Sequence, residues 1–299
     1  MFNLPMPSMG TFQPSLTFPA SVWYSCHMDT HKLFGFTNVD GTNDPDYFIR
    51  FLDEASAEES FQAYKHYSFA LLDLQPGQHV LEVGCGTGAD AQMMAQRVAP
   101  GGRVVAVDGS RHMIAVAQQR AAGCSLPLEF QVADAHRLPF ADDSFDASRA
   151  DRIFMHLESP AQALSEMQRV TRPGGRVLVY EVDFETLTLD LPPREHTRKV
   201  LHTWCDSFRN GWLGRHVPAL FREAGLEDVR ITPATLWLRY PVAIQMIGPA
   251  TVERACAAGL LTPDEGADWL QRLHQRYVAG LLFCTLTGFL VLGRKPENS

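Results

Sequence analysis

The stretch Val80-Leu81-Glu82-Val83-Gly84-Cys85-Gly86-Thr87-Gly88 is a compact apolar run that enters three alternate glycines, and a helical pattern follows over Ala89–Val98. It reads as a strand delivered to a helix through a tight turn. Glycine is needed where the backbone bends sharply and a ligand lies directly on it. The helix start behind the turn presents N–H groups that the helix itself leaves without partners. The turn alone does not name its ligand. Gly84, Gly86 and Ala89 also satisfy the dinucleotide fingerprint G-x-G-x-x-G/A, the mark of an NAD(P)- or FAD-dependent oxidoreductase, and that alternative stays open here.

Working outward, the chain alternates short apolar strands with helical stretches. Strands are expected at 80–83, 104–107, Leu128–Val132, 144–148 and 176–181, with helices at 110–122 and Pro160–Val170. Ser110 is well placed as an N-cap. A helix over 217–224, stopped by Gly225, precedes a strand near 229–231, and the run 287–292 closes the series. Such alternation predicts a doubly wound, parallel sheet covered by helices on both faces. Before it, Phe48, Phe51, Leu52 and Ala55, then Phe61, Tyr64, Phe69 and Leu72, form an apolar helical stripe over 44–74 that Pro76-Gly77 breaks. Residues 1–20 hold four prolines and read as a loose arm. A long piece at 235–280 carries two helical patterns, the second opened by Thr262-Pro263-Asp264-Glu265. The division expected is an N-terminal arm and helical lid over 1–70, then one domain over 71–299 with a helical insertion at about 235–280.

The bulk properties narrow the function. The 299 residues carry a formal net charge of -8 and are 45% hydrophobic. General affinity for nucleic acid is excluded, because that needs clustered Lys and Arg. The six cysteines, Cys26, Cys85, Cys124, Cys205, Cys256 and Cys284, are scattered singly without a CxxC pair, which suits a reduced, cytoplasmic protein. The N-terminus lacks the basic and apolar regions of a signal peptide, and the apolar run at 278–293 is too short and too rich in Thr and Gly to span a membrane. The arm and the insertion both offer surfaces for a homodimer.

Charge distinguishes the two kinds of ligand. A pyrophosphate over the glycine turn would meet the carboxylate of Glu82, whereas a cationic, phosphate-free nucleoside would be drawn to it. Asp108 ends the second strand, where a carboxylate can bond both ribose hydroxyls. Asp134, at the end of the third strand, opens Asp134-Ala135-His136-Arg137-Leu138-Pro139-Phe140 and can meet an adenine amino group. These stations, Glu82 to Gly88, Val107-Asp108, Asp134-Ala135 with Leu138-Pro139-Phe140, and Arg172-Pro173-Gly174-Gly175, resemble the successive motifs of class I S-adenosylmethionine-dependent methyltransferases of the UbiE/COQ5-like, methyltransferase domain 11 group. The resemblance covers about residues 70–185 and implies a Rossmann-like α/β fold, a seven-stranded sheet whose last strand is antiparallel. It implies S-adenosyl-L-methionine as cofactor, held by Glu82, Gly84, Cys85, Gly86, Gly88, Asp108, Gly109, Met113, Asp134, Ala135, Ala150 and Arg152.

Methyl transfer needs a nucleophile placed against the methyl group and water kept out, and a general base only if the acceptor must lose a proton. Candidates are His156 after the fourth strand, Glu181 and Asp183 at the end of the fifth, and His27 and Tyr24 in the lid. Arg215-His216 would cap the helix that follows or hold an anion. Trp23, Tyr24, His27, His31, Phe34 and Phe36 form one aromatic cluster; Trp204, Phe208, Trp212 and Trp237 with Met246 form another. Either builds an apolar pocket or is plain core. Together they suggest a hydrophobic or aromatic small-molecule acceptor, whether through O-, N- or C-methylation. No acidic triad for magnesium and no Asn/Asp-Pro-Pro-Tyr/Phe motif is present, so no metal is expected. A non-catalytic protein that keeps the cofactor pocket is the remaining alternative.

Overall fold

The computed structural model describes residues 30–297; the side chains of residues 30–35 and of Pro241 are outside that description. Strands β1 (His79–Val83), β2 (Arg103–Asp108), β3 (Leu128–Val132), β4 (Phe145–Asp151) and β5 (Thr171–Val182) are mutually parallel in the order β3-β2-β1-β4-β5. β8 (Cys284–Arg294) then runs antiparallel to both β5 and β7 (Glu227–Trp237). The sheet has eight strands rather than the seven expected. The extra one, β6 (Thr188–Leu189), pairs with Thr285 and Cys284. Thr285 also pairs with Trp237, so β6 lies on the edge of β8 that β5 occupies and continues its line.

The helices are α1 (Asp46–Ser56), α2 (Glu59–Leu72), α3 (Ala89–Val98), α4 (Arg111–Ala121), α5 (Pro160–Val170), α6 (Arg194–Cys205), α7 (Leu213–Glu223), α8 (Tyr240–Ile247), α9 (Pro249–Ala257) and α10 (Pro263–Val278). A 3-10 segment, Thr30–Gly41, precedes them. Strand alternation divides the core between the two faces. Val80, Ala106, Leu178, Tyr180 and Val182 pack with α2, α3, α6 and the C-terminal helices. Leu81, Val83, Val105, Val179 and Val291 pack with α5 and α7.

Several elements depart from the sequence reading. The stripe at 44–74 is two helices, because Glu58 turns extended (φ -73°, ψ 133°) between them. The insertion holds three helices, since Gly248 and Pro249 part α8 from α9. Helix α6 went unpredicted, although Thr197, Val200, Trp204 and Cys205 share its buried face. α7 starts at Leu213, so Arg215 lies in its first turn rather than before it. The expected helix starts do form: Ser110 Oγ accepts from Met113 N at 3.1 Å, and Thr262 and Glu265 make a reciprocal capping box. Among the described residues no helix is long and apolar enough to cross a membrane, and all five described cysteines are free.

The insertion is anchored by Trp269 of α10, which is fully buried and donates from Nε1 to Thr197 Oγ1 of α6 at 2.9 Å. Trp269→Phe loses that bond and leaves a small void, so it should cost about 1–2 kcal/mol in a urea titration.

Candidate active site

One cavity of about 960 Å³ opens at the carboxyl ends of β1, β2 and β4, where ligands of open α/β sheets bind. Its first half is the glycine turn. Gly84 and Gly86 have φ of +75° and +51°, values an L side chain rarely adopts. A Cβ on Gly84 would collide with Ile153 at 2.2 Å, whereas one on Gly86 would meet only Leu52, at 3.3 Å. Gly86 is therefore the glycine that leaves room for a ligand. Gly88 starts α3 with φ +79°, its would-be Cβ lying 2.6 Å from Phe130, and it is not part of the cavity wall. Ala150 is not either: it is fully buried in the core beneath α5. The other residues expected at the cofactor, Glu82, Cys85, Asp108, Gly109, Met113, Asp134, Ala135 and Arg152, all line the wall.

Asp108 braces the turn. One carboxylate oxygen accepts from Gly86 N and the other from Ser110 N, both at 2.9 Å. Burial raises its carboxyl above the ordinary value while those two N–H groups oppose the rise. Asp134 Oδ1 accepts from the His136 backbone N–H at 2.9 Å and pairs with His136 Nδ1 at 2.7 Å, which holds this carboxyl below its ordinary value. Asp40, from the 3-10 segment, covers the start of α4: its carboxylate accepts from Ser110 Oγ, from Arg111 N at 2.9 Å and from His112 N at 3.2 Å. Four backbone N–H groups are orphaned at any helix start, and here a carboxylate distant in sequence satisfies two of them.

The floor is a buried ionic cluster. Arg149, fully buried, donates from Nη1 to Glu82 Oε1 at 2.7 Å, from Nη2 to Asp151 Oδ2 at 2.6 Å, and lies 3.1 Å from Asp90 Oδ2. Lys65 reaches Asp90 at 2.9 Å, Arg152 reaches Asp151 at 3.2 Å, and Tyr64 donates to Asp151 at 3.1 Å. Three carboxylates face three cations. Glu82 is thus first a partner of Arg149, not an isolated charge awaiting a ligand. Burial pushes its carboxyl well above the ordinary range against the pull of Arg149, and its Oε2 has no partner. Replacing Arg149 with Met should destabilise the fold by about 3–5 kcal/mol in urea, because the facing carboxylates lose their common counter-charge.

The second half of the cavity is apolar. Phe36, Phe51, Phe61, Val182, Phe184, Trp204, Phe208, Leu236, Met246 and Leu286 form its wall. Trp204 packs edge-on against Phe184 at 4.4 Å, and its indole Nε1 is buried without a partner. Of the aromatic residues singled out in sequence, Trp212 and Trp237 are half exposed (50% and 49%) and do not reach the cavity. Trp23, Tyr24 and His27 lie outside the described residues, as do the side chains of His31 and Phe34.

The three described candidates for proton transfer fare differently. His156 lines the cavity, and its ring stacks on Phe36 at 5.5 Å. Burial and the neighbouring Arg152 push its imidazole down to about 4, so it is neutral at pH 7. Glu181 and Asp183 share a face, as alternation requires, but neither lines the cavity. Glu181 accepts from Met155 N and Val182 N at 3.0 Å each, and burial pushes its carboxyl up to about 8. Asp183 is held by Arg215 through two hydrogen bonds. It is Val182 and Phe184, the residues between and after them, that meet the cavity. Sequence reasoning missed Asp40 and Lys65, whose places depend on contacts across the fold.

The sign of a pH effect follows from His156. The unfolded chain takes up a proton on this histidine near pH 6.5, the folded protein only near 4. Between those values the unfolded state binds more protons, so stability falls as the solution is acidified, by about 1.4 kcal/mol per pH unit. His156→Phe, which keeps an aromatic ring against Phe36, should flatten that part of the stability–pH curve measured by denaturant titration.

The comparisons with known proteins agree with this geometry. A family described as methyltransferase domain matches residues 81–179, from β1 through most of β5. The uncharacterized 37.1 kDa protein in transposon TN4556 of Streptomyces fradiae is 36% identical over 250 residues, 82% of this chain and 71% of that protein. The ubiquinone/menaquinone biosynthesis C-methyltransferase UbiE of Bordetella avium is 31% identical over 156 residues, 52% of this chain and 57% of the relative's length. The solved YcgJ protein of Bacillus subtilis superposes with a TM-score of 0.56 at 20% identity, covering 78% of this chain and 99% of its own. The chain belongs to the class I S-adenosylmethionine-dependent methyltransferases, of UbiE-like type. Nothing in the comparisons supports the oxidoreductase alternative.

Proposed function

We propose that this protein transfers the methyl group of S-adenosylmethionine to a small, mainly apolar acceptor. One observation carries the reading: a single cavity runs from the glycine turn and Asp108 to the wall of Phe184, Trp204, Phe208 and Met246. Nucleoside-holding groups and an apolar chamber are thereby continuous, at a volume that pockets for small ligands reach. The residues present fit the cofactor. Asp108 and Asp134 would take the ribose hydroxyls and the adenine amino group, and Gly86 leaves the space the ligand needs. Glu82 lines the cavity beside the glycine turn, its Oε2 buried and without a partner among the described residues. Arg152, bonded through Nε to Asp151 and lying 5.0 Å over Phe61, is a cation available to the carboxylate.

The cofactor supplies an electrophilic methyl group on a sulfonium, which leaves as a neutral thioether. What remains for the chain is placement of the acceptor and exclusion of water. Phe36 and Phe51 reach over the chamber from the N-terminal side, and Phe184, Trp204 and Phe208 close it from the other. His156, neutral at pH 7, can donate or accept a hydrogen bond at the acceptor without adding charge to an apolar chamber. Its depressed basicity makes it an orienting group there rather than a strong base.

Two measurements test the reading. Calorimetry should show S-adenosylhomocysteine binding where NADH does not, and incubation of S-adenosylmethionine with a metabolite extract should yield a product heavier by one methylene. Tight NADH binding in the same site would refute the reading. Asp108→Ala should weaken S-adenosylhomocysteine binding by roughly 1.5–3 kcal/mol, from loss of a charged acceptor. Unchanged affinity would place the ribose elsewhere.

A further inference from the structure

His136 has no part in the reading so far, yet it lies on the cavity wall beside the group assigned to adenine. Its ring is held from two sides. Nε2 receives the backbone N–H of Ser159 at 3.2 Å, and Nδ1 faces Asp134 Oδ1 at 2.7 Å. A ring nitrogen that accepts an N–H carries no proton, so in the neutral ring the proton sits on Nδ1 and is donated to Asp134. The His136 backbone N–H also goes to Oδ1. Both bonds load the same carboxylate oxygen. Oδ2 is left without a hydrogen bond to any described residue, on a side chain that is 67% exposed and lines the cavity. His136 also ties two walls together. Ser159, whose N–H fixes the ring, caps α5, and Gln162 of α5 donates to the His136 carbonyl at 3.0 Å. The loop after β3 is thereby fastened to the segment after β4 that carries Met155 and His156 on the cavity wall.

We infer that His136 is a positioning residue for cofactor selection: by occupying Asp134 Oδ1 it reserves Oδ2 for the exocyclic amino group of adenine. Without the ring, only the backbone N–H of residue 136 holds Oδ1, and the exposed aspartate keeps less of its preference for that donor. The inference rests on Asp134 meeting the adenine, as proposed above.

The test compares two ligands by calorimetry on the full chain: S-adenosylhomocysteine, which bears the amino group, and S-inosylhomocysteine, which carries a carbonyl oxygen in its place. The unaltered protein should prefer the first by roughly a hundredfold, since one ligand donates to the carboxylate and the other opposes an oxygen to it. His136→Ala should lower that preference about tenfold, chiefly by weakening S-adenosylhomocysteine, with S-inosylhomocysteine changed less than about twofold. His136→Asn, whose amide nitrogen can replace Nδ1 as donor, should recover most of the preference.

The outcomes separate cleanly. If the unaltered protein binds both ligands alike, Asp134 does not read the amino group and the adenine placement itself fails. If it discriminates and His136→Ala discriminates equally well, the adenine placement stands and the role of His136 is overturned. Equal weakening of both ligands in the folded Ala variant assigns His136 to holding the loop alone, which also overturns it.

Discussion

Everything at the cavity stands on Arg149. A guanidinium with no solvent exposure is expensive to bury, and it is tolerated because Glu82, Asp90 and Asp151 surround it and Ser68 accepts from Nε at 3.1 Å. These partners come from β1, α3, β4 and α2. One side chain therefore fixes the relative positions of the glycine-turn strand, the helix behind it, the strand beside it and the N-terminal helix that covers it. Three cations face three carboxyl groups in the cluster, and burial favours the protonated form of one of them, Glu82. Within the cluster one oxygen, Glu82 Oε2, is buried without a partner among the described residues.

This changes the electrostatic argument from sequence without reversing it. An acidic residue two places before the first glycine disfavours pyrophosphate, and that inference needs only the residue's charge. The structure adds that most of the charge is already spoken for by Arg149. Asp90 and Asp151 on the same cavity wall are likewise paired with cations, which leaves Asp108, held by two backbone N–H groups, as a carboxyl without a cationic partner there. The carboxylates are held in place by partners and cannot swing away from an anion.

The cavity is built from distant pieces. Phe36 comes from the segment before α1, Met246 from α8 and Leu286 from β8, and all three line it. Asp40 fastens the 3-10 segment to the start of α4, next to the Ser110 and Asp108 that brace the glycine turn. The N-terminal segment and the glycine-turn floor are therefore mechanically joined through one helix end.

The sequence by itself determined the alternation of strands and helices that makes a doubly wound sheet, the glycine turn, and the strand-end carboxylates Asp108 and Asp134. Each is a local matter: a short apolar run, a backbone needing positive φ, an acidic residue at a strand end. The helix starts at Ser110 and Thr262 were legible for the same reason. What only the tertiary structure decided was which partner each group meets. Period-two alternation placed Glu181 and Asp183 on one face, but the side of the sheet that bears the apolar half of the cavity is set by how α6 and the C-terminal helices pack, and they pack on the other. Trp204 and Trp212 look alike in sequence, yet one is core and the other surface, because helix α6 ends between them. The ionic cluster under Glu82 was equally hidden, since burial strengthens charge pairing only after the chain has brought α2, α3, β1 and β4 together.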